Sequence, residues 1–391
     1  MKNNARTNIV LLALTYWLYF GQLGVLVPYL GIFLDGRGFS SADIGKLFAI
    51  ITLARIIGPS LWASIADKTG QALLVLRLGC FLTVVSFATV FLFDGFWGLT
   101  LSFGLMMMFW TAVLPQLEVI TMQSVTKTAV SYGQVRLWGS IGFIVLTVGV
   151  GKALDSYSTD TPVYVSMGIL TALFVSSLLI VHPGATKPAT DQSDNFGQLA
   201  RHKTFLIFLL SASLLQFSFG AYYGFFALYM RDLHYSGQQT GLLIALGVLA
   251  EIGIFLLARR LIARCGVWWL LFVCMTLTAC RWAILAGWAE YGIAVIVSQL
   301  IHALSFGLTH ATSVHFIYHF FPAQFHSRGQ ALYISIAFGL GGASGNYIAG
   351  QLWHQGTNAF QTFMVAAISA LAGALVLFLI NRKKMDLSFT Q

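Results

Sequence analysis

SYGQVRLWGSIGFIVLTVGVGKAL, residues 131–154, opens on a polar turn and continues as an apolar run long enough to cross a bilayer. A hydrocarbon core of about 30 Å takes roughly 20 residues of helix. Arg136 nonetheless stands near the start of that run, where a permanent charge is costly. Runs of the same kind recur along the whole chain of 391 residues, which is 58% hydrophobic and only 9% charged. Soluble domains carry about 25% charged residues, so this composition excludes one. Lipid gives backbone polar groups no partner outside a helix or a closed barrel. The runs are too long and too evenly apolar for barrel strands. The chain reads as an all-α, multi-pass membrane protein.

Twelve spans are predicted, at 8–34, 42–66, 72–93, 96–124, 131–154, 160–182, 204–230, 237–262, 267–288, 291–320, 327–353 and 358–381. The first is too long for a signal h-region and has no small-residue cleavage site after it, so it is read as a retained helix. One long polar connector, residues 183–203, separates an N-terminal six-helix bundle (1–182) from a C-terminal one (204–391). Placing both termini and the connector on one side gathers fourteen Lys and Arg there, against Arg37, Lys152 and Arg231 on the other. The positive-inside rule makes the richer side cytoplasmic. The net charge of +9 therefore sits in short loops between spans and does not imply nucleic-acid binding. Cys80, Cys265, Cys274 and Cys280 lie in or beside spans without metal-ligand spacing, so no disulfide framework is expected.

The two halves repeat. A shift of 196 residues lays SYGQ (131–134) on SRGQ (327–330), Gly24 on Gly220, Gly45 on Gly241, Ala54 on Ala250 and Gly70 on Gly266. The same shift lays Arg55 on Glu251, opposite charges at one matched position. Two parallel six-helix repeats point to alternating access about a central site. On these features the sequence resembles the major facilitator superfamily over its whole length. ASIADKTGQ (63–71) resembles that superfamily's loop motif and retains Asp67, Lys68 and Gly70. Ala63 and Gln71 depart from it. The resemblance implies two pseudo-symmetric six-helix bundles, a gating role for that loop and a monomer.

Ionisable residues within spans normally face a cavity or a partner. Here they are Arg55, Glu118, Arg136, Glu251 and Arg281, with His302 beside them. Glu118 in span four and Arg136 in span five can meet where the chain folds back, either as a structural ion pair or as a pair that opens to grip a ligand. Glu251 has Arg55, Arg281 and His302 as basic partners by depth, and is the first choice for a proton carrier. His302 titrates in the useful range and is the second. His302, Ser305 and Thr309 recur at helical spacing, as a polar stripe would. His315 and His319 are one turn apart, but no Cys or acid completes a metal site. Three arginines against two glutamates leave one spare cation, which suits a carboxylate held in a bidentate fork. Tyr222, Tyr223 and Trp138, among other aromatics at this depth, are candidates to stack on a ring or a sugar face.

YGQVRLWGS, AYYGFFALY, GVLAEIGIF and CRWAI resemble the phenylpropionate-permease family. That resemblance implies proton-driven uptake across the bacterial inner membrane, with protons and a small-molecule substrate as the partners besides lipid. A more distant resemblance is to galactoside–proton symporters of the lactose-permease type. There an acid in span four pairs with an arginine in span five, 18 positions later, and Glu118 and Arg136 match that separation. Arg281 and His302 match its span-nine arginine and span-ten histidine. Ser305 stands where that family has an acid, and Val248 where it has its span-eight acid, so the match is partial. The expected function is a proton-coupled symporter importing an aromatic or other organic monocarboxylate, with no cofactor beyond the proton gradient. Arg136, Glu118, Arg281 and Arg55 would bind substrate. A sugar or nucleoside symporter is the alternative. No nucleophile–base set or nucleotide loop suggests an enzyme.

Overall fold

The computed structural model describes residues 2–126, 128–181 and 196–386, except the side chains of 2–6, 59–60, 63–64, 66–68 and 383–384. The connector expected at 183–203 therefore falls largely outside the described residues, as do the side chains of Asp67 and Lys68. No strand occurs among the described residues.

Each expected span is occupied by helix. The helices are α1 (Thr7–Gly36), α2 (Ser41–Thr69), α3 (Ala72–Leu92), α4 (Phe96–Val125), α5 (Tyr132–Leu154) and α6 (Thr161–Leu179), followed by α7 (Lys203–Asp232), α8 (Gly237–Cys265), α9 (Val267–Trp288), α10 (Gly292–Phe320), α11 (326–353) and α12 (Ala359–Leu379). Among the described residues, ten of these are long and apolar enough to cross a membrane. Several α2 side chains lie outside the described residues, and α11 is rich in glycine and serine.

Helix starts are written in the sequence. Ser131 caps α5 by accepting from the Gln134 backbone N–H at 3.3 Å, while the Gln134 side chain accepts from the Ser131 N–H at 2.9 Å. This reciprocal box satisfies two otherwise orphaned donors. Ser236 with Gln239 begins α8 in the same way. At the matched position Ser40 caps α2 by accepting from the Asp43 backbone N–H, and its hydroxyl donates to the Asp43 carboxylate. Gly70 and Gly266, also matched, both take positive φ, at 64° and 79°. Only glycine adopts that backbone without a steric cost.

The chain divides into two compact units. The first comprises residues 1–39, 50–190 and 235–242, and the second 40–49, 191–234 and 243–391. The start of α2 thus counts with the second unit and the start of α8 with the first. Inside the first unit α1 packs on α5 and α6, and α3 packs on α6. Inside the second, α7 packs on α11 and α12, and α9 packs on α12. The internal pairing is the same once the shift is applied. Close approach at matched glycines makes it possible. A Cβ on Gly24 would fall 2.6 Å from the Phe143 carbonyl oxygen, and one on Gly220 would fall 2.2 Å from the Gly345 carbonyl carbon. Small residues at such crossings let helix backbones touch in lipid.

Two stretches depart from α-helix. Residues 303–308 of α10 and 334–341 of α11 are π-helical. Such turns gather at functional sites because the extra residue re-aims neighbouring side chains.

Candidate functional site

In the first unit, the period of α1 puts Tyr16, Tyr19 and Phe20 close together on the helix surface. Tyr19 lies flat on Trp110 of α4, with ring centroids 4.2 Å apart. The Arg136 guanidinium sits 3.7 Å over the Phe20 ring and 5.8 Å from that of Tyr16. It is half-buried, and among the described residues it makes no ion pair. Glu118 instead accepts a hydrogen bond from the Tyr132 hydroxyl at 3.2 Å. The Glu118–Arg136 contact foreseen from spacing is therefore not made. Tyr132, one turn before Arg136 on α5, takes the acid, and the arginine turns to an aromatic face. Arg55, Glu118 and Arg136 all remain within electrostatic reach of Tyr19. Arg55 is exposed on its unit. Trp138 does not join the group: it is 49% exposed, and two helix steps of about 100° each carry it away from Arg136.

In the second unit, α7, α8, α9 and α10 bring Glu251, Arg281, His302 and Tyr222 together. Glu251 Oε1 lies 2.8 Å from His302 Nε2. Arg281 Nη1 lies 2.8 Å from His302 Nδ1. The imidazole thus bridges the acid and the base. Arg281 is wholly buried, and its guanidinium is 4.4 Å from the Tyr222 ring and 4.3 Å from that of Trp282. Its Nε and Nη2 find no hydrogen-bond partner among the described residues. The Tyr222 hydroxyl donates to Gln299 Oε1 at 2.8 Å, and the Trp282 indole N–H donates to Ser218 Oγ at 2.9 Å. Tyr223 stacks on Phe219 and is half-buried. Of the three partners foreseen for Glu251, His302 is the one in contact, and Arg281 is reached through its ring. Arg55 belongs to the first unit.

Glycines seat this group. A Cβ on Gly247 of α8 would fall 3.1 Å from His302 Cδ2, and one on Gly307 of α10 would fall 3.3 Å from Glu251 Cγ. Each glycine leaves room for the facing member of the pair. The polar stripe expected along α10 is present but turned inward. His302, Ser305 and Thr309 are buried, and the two hydroxyls donate to the carbonyls of Ile301 and Leu304. The reach from Thr309 back five residues to Leu304 is the π-turn spacing. His315 and His319 have ring centroids 4.0 Å apart, and no group of three or more metal-ligating residues occurs among the described residues.

Sequence reasoning missed two residues of the first unit. Gln22 and Trp110 line one small cleft with Leu23, Leu26, Val27, Met106 and Met107. Both side-chain atoms of the Gln22 amide and the Trp110 indole nitrogen are buried without a partner among the described residues. A lone amide three residues after Tyr19, in an otherwise apolar run, was the available signal.

A family model described as the MFS_1 like family matches residues 9–365. The chain belongs to this family. Several relatives cover it nearly end to end. A protein of Escherichia coli (strain K12), named a probable 3-phenylpropionic acid transporter, is 28% identical over 92% of this chain and 95% of its own. The maltose permease of Geobacillus stearothermophilus is 26% identical over 95% of this chain and 94% of its own. The crystal structure of the nucleoside transporter NupG superposes with a TM-score of 0.82 at 16% identity, covering 95% of this chain and 98% of that one. That likeness shows the fold. Family and relatives together make the chain a multi-pass membrane transporter of small molecules with the major facilitator fold, and not an enzyme.

Proposed function

We propose that this transporter is a proton-coupled symporter importing a small aromatic monocarboxylate of the 3-phenylpropionate type, by alternating access. The observation that carries the substrate class is Arg136. It is a half-buried cation on the Phe20 ring, with no ion pair among the described residues. A guanidinium held against an aromatic face still presents its fork of N–H donors to a planar anion. A carboxylate supplies the missing charge, and Phe20 and Tyr16 flank the site for an attached ring. The name of the relative in Escherichia coli supports the same class. Glu251 and His302 supply the proton machinery, and no cofactor is required. The protein works as a monomer in the bacterial inner membrane with both termini cytoplasmic, as the Lys and Arg distribution favours.

The test is uptake into proteoliposomes under an imposed pH gradient, with 3-phenylpropionate, maltose and uridine as the three solutes. Accumulation of 3-phenylpropionate that collapses with a protonophore is the expected result. Accumulation of maltose or uridine with 3-phenylpropionate excluded would overturn the carboxylate reading.

A further inference from the structure

We infer that Glu251 is the residue that takes the transported proton, and that His302 is a positioning residue held neutral by Arg281. The inference rests on the proton-coupled reading above and settles which member of the pair carries the charge.

Arginine has only donors to offer. Its Nη1, 2.8 Å from His302 Nδ1, therefore requires a lone pair on Nδ1. The ring proton of the neutral imidazole is then on Nε2, which donates to Glu251 Oε1 at 2.8 Å. Two contacts thus fix the tautomer. A proton added to His302 must land on Nδ1, where it would face an Arg281 N–H and break that bond. A proton added to Glu251 meets no such obstacle. It forms an O–H bond at the second carboxyl oxygen, Oε2, while Oε1 keeps accepting from His302. No other bond breaks, and release returns the proton to water.

The surroundings agree. The titratable and charged groups that interact electrostatically with Glu251 include Tyr222 from α7, Arg281 from α9, and His302 and His310 from α10. None of these is a carboxylate. With Glu251 ionised, Arg281 and Glu251 balance. With Glu251 protonated, Arg281 is left uncompensated. Proton loading therefore raises the positive charge of this unit. The glycines beneath the pair, Gly247 and Gly307, leave both side chains in contact without strain from a Cβ.

The experiment is infrared difference spectroscopy of the purified protein over a pH titration, joined to nitrogen NMR of histidine-labelled protein. Neither readout needs the substrate. A protonated-carboxyl C=O band is expected on acidification. It should be lost in Glu251→Gln, an isosteric change that keeps the amide oxygen as acceptor for Nε2–H, and should persist in His302→Asn. The His302 signals should keep the neutral Nε2–H pattern throughout that step, and become titratable at Nδ1 in Arg281→Gln. An imidazolium signal from His302 while the Glu251 band is absent would overturn the assignment. So would a carboxyl band that survives Glu251→Gln. In proteoliposomes, Glu251→Gln should lose accumulation of 3-phenylpropionate while retaining exchange. A wild-type protein that shows the Glu251 band yet fails to accumulate 3-phenylpropionate would sink the substrate reading and leave the proton assignment standing.

Discussion

Replacing Arg136 by glutamine removes a half-buried cation of the first unit that rests on aromatic rings rather than on an acid. A bidentate carboxylate makes two charge-assisted hydrogen bonds, each about 1.5–3 kcal/mol. Glutamine keeps one neutral donor group and loses the charge. Because Arg136 is half-exposed, water recovers part of the loss, so a net cost of about 2–4 kcal/mol is expected. At about 1.4 kcal/mol per tenfold, Kd for 3-phenylpropionate should rise roughly 30- to 700-fold. Lysine keeps the charge but not the planar fork stacked on Phe20, and should lose about 5- to 30-fold. The assay is equilibrium binding of radiolabelled 3-phenylpropionate to purified protein, with 3-phenylpropionamide as a neutral competitor. Wild type should strongly prefer the acid, and the glutamine variant should scarcely distinguish acid from amide. An Arg136→Gln protein that binds the acid as wild type does, or a wild type that binds the amide equally, refutes the reasoning.

Gly220→Val places side-chain carbon 2.2 Å from the Gly345 backbone, which cannot yield as a side chain would. The cost exceeds the usual overpacking range of about 1–3 kcal/mol, and a marked fall in melting temperature in detergent should report it. Gly307→Ala adds a carbon 3.3 Å from Glu251 Cγ, so it should disturb proton coupling more than melting temperature. Uptake under a pH gradient compared with substrate exchange separates the two effects. Arg37 binds Asp160 at 3.0 Å and also pairs with Asp94, joining three loops of the first unit. The Asp160 hydrogen bond is the main cause raising the Arg37 guanidinium above its ordinary range. A raised base stabilises below its ordinary value and loses that contribution only as pH climbs through the raised one. The stabilisation lost in Arg37→Ala should therefore be flat across the alkaline side of neutrality. With Arg37 30% and Asp94 88% exposed, it should amount to about 0.2–1 kcal/mol and shrink with salt.

The helices were legible because lipid admits no other backbone solution, and the repeat was legible because it is anchored by glycines that shape the backbone. Gly70 and Gly266 share positive φ, and Ser40 and Ser236 each cap a helix by accepting from the backbone N–H three residues on. Residue type also marked part of one group: of the basic residues set beside Glu251, His302 meets it and Arg281 meets His302. Partner choice was not legible. A separation of 18 residues across a helical hairpin places Glu118 and Arg136 in one neighbourhood, but a tyrosine within that neighbourhood decides the contact. Trp138 follows Arg136 by two residues and shares its depth, but helical angle carries it to an exposed face. On α10 the assumed helical period missed a π turn, since a six-residue π segment has no strong local sequence signature.

The positions that do not repeat are as informative as those that do. Under the same shift, Glu118 falls on Val314, Arg136 on Leu332, Arg281 on Val85 and His302 on Met106. Arg55 and Glu251 coincide but with opposite charge. A duplicated scaffold therefore carries chemistry that is not duplicated. The first unit holds a cation on an aromatic face, and the second holds an acid, an imidazole and a base in a linear chain of contacts. This division has a physical reason. A site that must bind an anion needs a cation not already satisfied. A site that must hold and release a proton needs an acid whose neighbours are fixed, so that protonation changes charge without changing partners. Placing both demands on one arginine would set them against each other, because an acid close enough to exchange protons would also neutralise the cation. On the roles proposed for them, keeping Arg136 and Glu251 in separate units removes that conflict while the matched glycines keep the two scaffolds alike.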